Sequence, residues 1–252
     1  MSDRLSVILI CLNEQEKIRA CLERVAWADE IVVCDSGSTD ETLAICRQYT
    51  DRIYTDPWRG FGPHKKLALE RATHPWVLSL DADERVTPAL ERRVRQILEG
   101  PAEAEGYYIP RQNYFLGRWI RHGGWYPDYV LRLFRRERGR FRERAVHEAV
   151  EVNGRTAYLA EALEHYTYDS IAAYLARMDR YSTLAAEEMQ RAGVRCRPWE
   201  LMVRPLARSF KMYVLQQGYR DGTHGLALAG LYGAYTFAKY VKLWELEAKG
   251  GP

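Results

Sequence analysis

Several absences narrow the class of this protein before any motif is considered. None of the five cysteines (Cys11, Cys21, Cys34, Cys46 and Cys196) stands in a Cys-x-x-Cys pair, and the count is odd. That excludes a small disulfide scaffold and predicts buried thiols in a reducing compartment. No apolar run is long enough to span a bilayer. The longest uncharged stretch, Gly222 to Ala238, has 17 residues, including His224 and four glycines, against the ~20 that a spanning helix requires. Net charge is nearly absent: 37 basic and 34 acidic side chains leave +3, which disfavours a nucleic-acid partner. There is no internal repeat and no low-complexity tract. Met1-Ser2-Asp3-Arg4 leads straight into a strand-like run, so no signal peptide is expected.

What remains is an ordinary globular composition, 47% apolar and 28% charged over 252 residues. A chain of that length can bury ~70% of the surface its unfolded form exposes. The first hundred residues alternate in type. Leu5 to Cys11, Ile31 to Cys34 and Trp76 to Leu80 are near-continuous apolar runs, the mark of parallel strands covered on both faces. Helical spacing follows each: Ile18, Cys21, Leu22 and Val25; Leu43, Ile45 and Cys46; Leu90, Val94 and Leu98. Arg52 to Tyr54 reads as a weaker strand, and Gly62-Pro63 as the start of a helix through Leu69, with Pro63 at its first position. Asn13 with Glu16, and Ser38 with Glu41, have capping-box spacing; Thr87-Pro88 is a third helix start. The pattern predicts a parallel, doubly wound sheet. From Gly106 to Tyr168, strand-like pieces alternate with Gly-, Pro- and Arg-rich links and read as mixed strands completing it. After Asp169, a plausible cap, the chain reads as helical.

Ligands of such sheets bind at the carboxyl ends of the strands, where Asn13, Asp35, Asp81 and Asp83 fall. Asp81-Ala82-Asp83 is the sharpest feature. Two carboxylates past a buried strand can hold Mg2+ or Mn2+ through oxygen and leave positions open for phosphate oxygens; an acidic turn capping the next helix is the bland alternative. Asp35-Ser-Gly-Ser-Thr-Asp40 can accept hydrogen bonds from a base or ribose, or serve only as a capping loop.

The order and spacing of Val7-Ile-Leu-Ile-Cys-Leu-Asn-Glu14, Ile31-Val-Val-Cys-Asp-Ser-Gly-Ser-Thr-Asp-Glu-Thr42 and Leu78-Ser-Leu-Asp-Ala-Asp-Glu84 resemble the family 2 glycosyltransferases of GT-A fold. Gly123-Gly-Trp-Tyr-Pro-Asp128, Arg132-Leu-Phe-Arg135 and Val146-His-Glu148 extend the likeness to the subgroup that builds the lipopolysaccharide inner core, described as glucosyltransferases. The resemblance implies an α/β fold: a Rossmann-like, nucleotide-sugar-binding mixed sheet flanked by helices, with a helical C-terminal region. It implies a catalytic domain over 1–167, with a nucleotide half (1–100) and an acceptor half (101–167), followed by a helical region over 168–252.

It also implies roles. Cys11, Leu12, Asn13, Glu14 and Asp35 would line the uridine of a UDP-sugar, together with Ala82. Asp83 would ligate the metal, with Asp81 on ribose or metal. Lys65 is placed on the nucleotide or its phosphates, or is one solvated lysine beside Lys66. An inverting transfer needs a base for the acceptor hydroxyl; Glu148 occupies the matching place, and Asp128 is the rival. His147 would contact diphosphate or metal. Arg132 and Arg135 would hold the diphosphate, within a basic run (Arg136, Arg138, Arg140, Arg142, Arg144) that otherwise reads as a solvated hairpin. Trp119, Trp125 and Tyr126 fall in the acceptor region and suit a sugar ring, though most aromatics of a globular chain are core.

The implied activity is metal-dependent transfer of a sugar, glucose from UDP-glucose, to a lipopolysaccharide-core-type saccharide or glycolipid. Two alternatives remain at this level: transfer to a polyprenyl phosphate, and a non-catalytic nucleotide-sugar-binding scaffold. The basic and aromatic C-terminal segment reads as a membrane-interface surface or a homodimer surface, the former placed first. A cytoplasmic protein, at the inner face of the cell membrane, is expected.

Overall fold

The protein is described by a computed structural model covering residues 2–141 and 150–249. β1 (Leu5–Cys11) and β2 (Glu30–Asp35) are buried at every position. β1 lies between β2 and β4 (Trp76–Asp81) in parallel register, and β3 (Ile53–Thr55) extends the parallel edge beside β2. Leu5, Val7 and Leu9 of β1 enter one apolar cluster, while Ile8 and Ile10 enter another on the opposite face. That alternation fills both sides of the sheet, which is why the strand sequences read as unbroken apolar runs.

Beyond β4 the sheet becomes mixed. β5 (Glu84–Val86) follows β4 after a two-residue turn. β6 (Gly106–Phe115), β7 (Arg118–Trp119), β8 (Asp128–Arg135), β9 (Gly139–Phe141), β10 (Val150–Val152), β11 (Thr156–Tyr158) and β12 (Leu163–Tyr168) follow. The strand order is β3-β2-β1-β4-β8-β6-β12-β5, with β7 and β11 pairing β6. β8 runs antiparallel to β4, and β12 antiparallel to β5; β9 and β10 form a separate two-stranded sheet.

The helices of this part are α1 (Ile18–Glu23), α2 (Thr42–Cys46), α3 (Phe61–Arg71) and α4 (Pro88–Glu99). α4 starts as its sequence predicts: Thr87 Oγ1 accepts the Leu90 amide at 3.2 Å, with Pro88 at the first position. Three other starts differ. Asn13 does not cap α1, because it sits at φ 54° and its side chain bonds the β2–α2 loop. Ser38 and Glu41 form no capping box; Ser38 Oγ turns back to Asp35 instead. α3 begins two residues before Pro63, at Phe61.

Two compact units partition the chain: residues 1–111 with 129–165, and 112–128 with 166–252. The division falls within β6, β8 and β12. The second unit holds α5 (Ile171–Arg191), α6 (Glu200–Phe210) and α7 (Gly222–Lys249), with a π-helical turn at Lys211–Leu215 and a 3-10 turn at Gly218–Asp221. Its core joins Phe115, Ile120, Trp125, Tyr174, Met212, Leu228 and Ala229. α5 is capped by Ser170, whose Oγ accepts the Ala173 amide at 3.1 Å, rather than by Asp169. Gly225 is required by close approach, since a Cβ there would meet the Gly218 carbonyl oxygen at 1.8 Å. Among the described residues no helix is long and apolar enough to cross a membrane.

Candidate active site

The polar ends of β1, β2 and β4 are built differently. At β2, Asp35 is fully buried. Its Oδ2 accepts from the Gly37 and Ser38 amides at 2.8 and 2.9 Å, and its Oδ1 from Ser38 Oγ at 2.5 Å and Cys11 Sγ at 3.6 Å. Gly37 takes φ 97° to close that turn. At β1, the Asn13 amide donates to Ser38 Oγ and its Oδ1 accepts from the Thr39 amide, both at 2.8 Å. The Glu14 amide donates to Thr42 Oγ1 at 2.8 Å. Cys11 is buried and Leu12 exposed. The two loops are thus fastened to each other, with Asp35 at the centre.

β4 delivers the charged cluster. Asp81 Oδ1 pairs with Lys65 Nζ at 2.8 Å, and Oδ2 with Arg132 Nη2 at 2.5 Å. The same Nη2 reaches Glu84 Oε1 at 2.6 Å. Glu84 Oε2 accepts the Asp81 amide at 3.0 Å, and Arg111 Nη1 stands 3.5 Å from Oε1. Glu84, Lys65 and Arg132 are all buried, so each charge depends on its partners. Burial pushes the Asp81 carboxyl upward, but Arg132 and Lys65 reverse that and hold it well below the usual carboxylate range. The same contacts outweigh desolvation at Arg132 and raise its pKa.

Asp83 stands apart from those cations. Its Oδ2 lies 3.5 Å from His165 Nε2. Burial raises its pKa, and the His165 hydrogen bond more than offsets this. Ala82, between the two aspartates, is buried in the core. Asp83 and His165 give one carboxylate oxygen and one imidazole nitrogen, a donor set that suits Mn2+ and accommodates Mg2+ through the oxygen. No group of three or more His, Cys, Asp or Glu able to hold a metal is present among the described residues, so a cation there needs ligands from substrate or water.

The structure therefore brings Lys65, Asp81 and Arg132 together, sets Asp83 beside His165 two residues on, and does not bring Arg135 to them. Arg135 pairs in register with Trp76 at the start of β4. It binds Asp3 Oδ2 at 3.1 Å and Glu105 Oε2 at 3.4 Å. Five residues along a strand separate it from the Asp81 end by ~17 Å. The diphosphate contact expected of Arg135 is therefore not supported by its position, which places it with Asp3 and Glu105. His147 and Glu148, with Arg142 and Arg144, lie outside the described residues.

Three participants carried no assigned role in the sequence. Glu84 stood inside the quoted motif; Arg111 and His165 had no local signal. His165 comes to Asp83 through antiparallel pairing of β12 with β5, where it is the register partner of Glu84.

In the second unit, Asp128 Oδ2 accepts from Asn113 Nδ2 at 3.0 Å, and Nδ2 also donates to the Trp125 carbonyl at 3.0 Å. Trp125 is buried in the core of that unit. Tyr126 packs edge-on to Trp119, with ring centroids 5.4 Å apart. A cavity of about 400 Å³ is lined by Arg118, Trp119, Arg121, His122, Arg220 and Asp221. Asp221 fixes its wall by accepting the His122 amide at 2.8 Å and lying 3.2 Å from His122 Nδ1. The Arg121 guanidinium stacks over Trp119 at 4.2 Å.

Residues 6–167 match the model of glycosyl transferase family 2. The chain is 32% identical over 256 residues to the lipopolysaccharide core biosynthesis glycosyltransferase LpsC of Rhizobium meliloti, covering 97% of this chain and 93% of LpsC. Among solved structures it resembles the mannosyltransferase PcManGT of Pyrobaculum calidifontis, in complex with GDP-Man and Mn2+, at TM-score 0.56 and 18% identity over 97% of this chain and 88% of that one. It also resembles S. aureus TarS 1-349 in complex with UDP-GlcNAc, at TM-score 0.50 and 15% identity over 98% and 92%. These two likenesses bear on the fold alone, which is of the GT-A type.

Proposed function

The chain belongs to glycosyl transferase family 2 and is a glycosyltransferase, and we propose that it moves glucose from UDP-glucose to a lipopolysaccharide-core-type saccharide with inversion at the anomeric carbon. The observation that carries this is the Asp81–Asp83 turn. One carboxylate is locked between Lys65 and Arg132, and the next stands beside His165. The LpsC relative favours a core saccharide as acceptor over a polyprenyl phosphate.

Each residue then has a task. Asn13, Glu14 and their neighbours Cys11 and Leu12 line the uridine side, and Asp35 acts through the loop it orders. Ala82 keeps the turn seated in the core. Lys65 and Arg132 orient Asp81 toward the ribose and supply positive charge for the diphosphate. Arg132 Nε, buried with no protein partner among the described residues, is a further donor for that anion. Asp83 and His165 would hold Mg2+ or Mn2+, which when bound offsets the charge building on the departing UDP. His147 is a further contact for diphosphate or metal.

Glu148 takes the proton from the acceptor hydroxyl as the new carbon–oxygen bond forms and the bond to the diphosphate breaks; Asp128 is the competing base. Trp125, through its backbone bond to Asn113, positions the neighbourhood of Asp128, and Tyr126 offers a ring to the acceptor sugar. The catalytic domain is assigned to 1–167 and the helical region to 168–252. The reaction takes place at the cytoplasmic face of the membrane, where a lipid-linked acceptor is carried.

The test is a panel of nucleotide sugars scored by thermal shift with and without Mn2+, followed by transfer of labelled sugar to core oligosaccharide. Stabilisation by UDP-glucose with turnover supports the reading. Stabilisation by another nucleotide sugar alone replaces the donor, and label appearing only in polyprenyl lipid replaces the acceptor.

A further inference from the structure

α6 is amphipathic in the reverse of the usual sense. Glu200, Arg204, Arg208 and Ser209 face α7. Glu200 is buried and holds Arg204. Arg204 and Arg208 stack over Tyr240 and Tyr232 of α7, each at 5.1 Å. Ser209 Oγ donates to the Ala229 carbonyl at 2.8 Å. The other face carries Trp199, Met202, Val203, Leu206 and Phe210, spaced three and four apart on one stripe. Their exposure runs from 51% for Val203 to 63% for Met202 and Leu206. Val214 and Leu215, also exposed, continue it past the helix end. A surface helix normally turns its apolar stripe inward; here the inward contacts are polar and aromatic, and the apolar stripe is left to the surroundings.

The charge around the stripe identifies what it meets. Residues 192–220 contain six basic side chains (Arg195, Arg197, Arg204, Arg208, Lys211 and Arg220) and one acidic one, Glu200, which is buried and paired with Arg204. Arg195, Arg197 and Lys211 bracket the stripe and are exposed. An apolar strip with an aromatic at each end, set between cations and with no exposed carboxylate within residues 192–220, matches the boundary between the acyl chains and headgroups of an anionic bilayer.

We propose that α6 lies in the plane of an anionic membrane leaflet, with Trp199, Met202, Val203, Leu206 and Phe210 inserted among the acyl chains and Arg195, Arg197 and Lys211 at the headgroups. The proposal rests on the transferase reading only for the membrane having an acceptor to offer; its physical basis is the helix itself. The full chain is sedimented with vesicles of phosphatidylcholine alone and of phosphatidylcholine mixed equally with phosphatidylglycerol. Binding is expected to the mixed vesicles, weakened by salt. The double variant Leu206→Asp/Phe210→Asp should reduce it at least tenfold, and Arg197→Gln/Lys211→Gln should remove the preference for phosphatidylglycerol. Both pairs are exposed and absent from the proposed donor site, so UDP binding serves as a fold control.

A second readout is the fluorescence difference between wild type and Trp199→Phe, which should shift to the blue on adding mixed vesicles. Three results overturn the proposal: wild type that stays in the supernatant, a double variant that binds as wild type does, or a stripe whose substitution converts a dimer to a monomer by light scattering without changing lipid binding. Transfer to lipid-free core oligosaccharide is measured alongside, because its failure tells against the transferase reading and leaves the vesicle result standing.

Discussion

Arg132 is the residue on which the charged cluster depends most. It is buried, and one of its nitrogens serves both Asp81 at 2.5 Å and the fully buried Glu84 at 2.6 Å. Arg132→Met keeps most of the side-chain volume and removes the charge. Glu84 is then left with Arg111 at 3.5 Å and Asp81 with Lys65. Removing one member of a buried ion pair typically costs ~3–5 kcal/mol, because the remaining charge stays desolvated. The lower end applies here, since both carboxylates keep a second cation, so ~3 kcal/mol is expected. Urea denaturation, followed by tryptophan fluorescence, reads the loss as a shift in midpoint.

A second substitution isolates the cause. Glu84→Gln is isosteric and uncharged, and in the Arg132→Met background it should recover ~1 kcal/mol or more, a coupling well above the ~0.5 kcal/mol seen for independent sites. The pH dependence gives the sign. Asp81 is held low in the folded state, so its contribution is present above the ordinary carboxylate value of ~3.9 and is lost as pH falls from there through its folded value. Without Arg132 its pKa moves back up, and the acid limb of the stability curve becomes shallower. A loss below ~1 kcal/mol, or a double variant no more stable than the single one, would refute the argument that buried charge pairing holds this turn.

Three further outcomes are expected. Asp83→Ala should abolish the Mn2+-dependent heat of UDP binding, and His165→Ala should weaken it at least tenfold while UDP still binds without metal; unchanged titrations would remove both from the metal assignment. Glu148→Gln should retain UDP binding and lose transfer, whereas loss in Asp128→Asn alone would move the base to Asp128. In α7, Gly225→Ala should destabilise strongly, because its Cβ would meet the Gly218 carbonyl oxygen at 1.8 Å; Gly230→Ala, with nothing within 4 Å, should stabilise by ~0.5–1 kcal/mol, as thermal melts of the two variants will show.

The parallel half of the sheet was legible because burial on both faces leaves a local record. Every residue from Leu5 to Cys11 is buried, and the run is apolar except for Ser6. Strand ends were equally legible, since Asp35, Asp81 and Asp83 interrupt those runs. Helix starts were not, where a cap-like residue found a better partner at long range: Asn13 is spent on Thr39 and Ser38 on Asp35. Thr87 met no such competitor, and its cap formed. The cluster around Asp81 was half legible. Lys65 and Arg132 came from a family pattern, whereas Arg111 and His165 are brought in by β6 and β12, whose pairing leaves no mark in the local sequence. Arg135 is the complementary case: it is only three residues from Arg132, but an extended strand carries it ~10 Å further from the Asp81 end, to the start of β4, where Asp3 and Glu105 take its guanidinium.

The bonds joining the β1 and β2 loops have a consequence for recognition. Asn13, Glu14 and Gln15 on one side reach Ser38, Thr42 and Asp40 on the other, and Glu41 returns to Gln15. Neither loop can shift without breaking several of these bonds, so the pair behaves as a single rigid sill rather than two flexible segments. A nucleotide bound there, as proposed above, would not have to freeze the sill, and more of the contact energy would be retained as affinity. Substitutions on the second loop, far from any base, should then be felt at the first as though the two were consecutive in sequence.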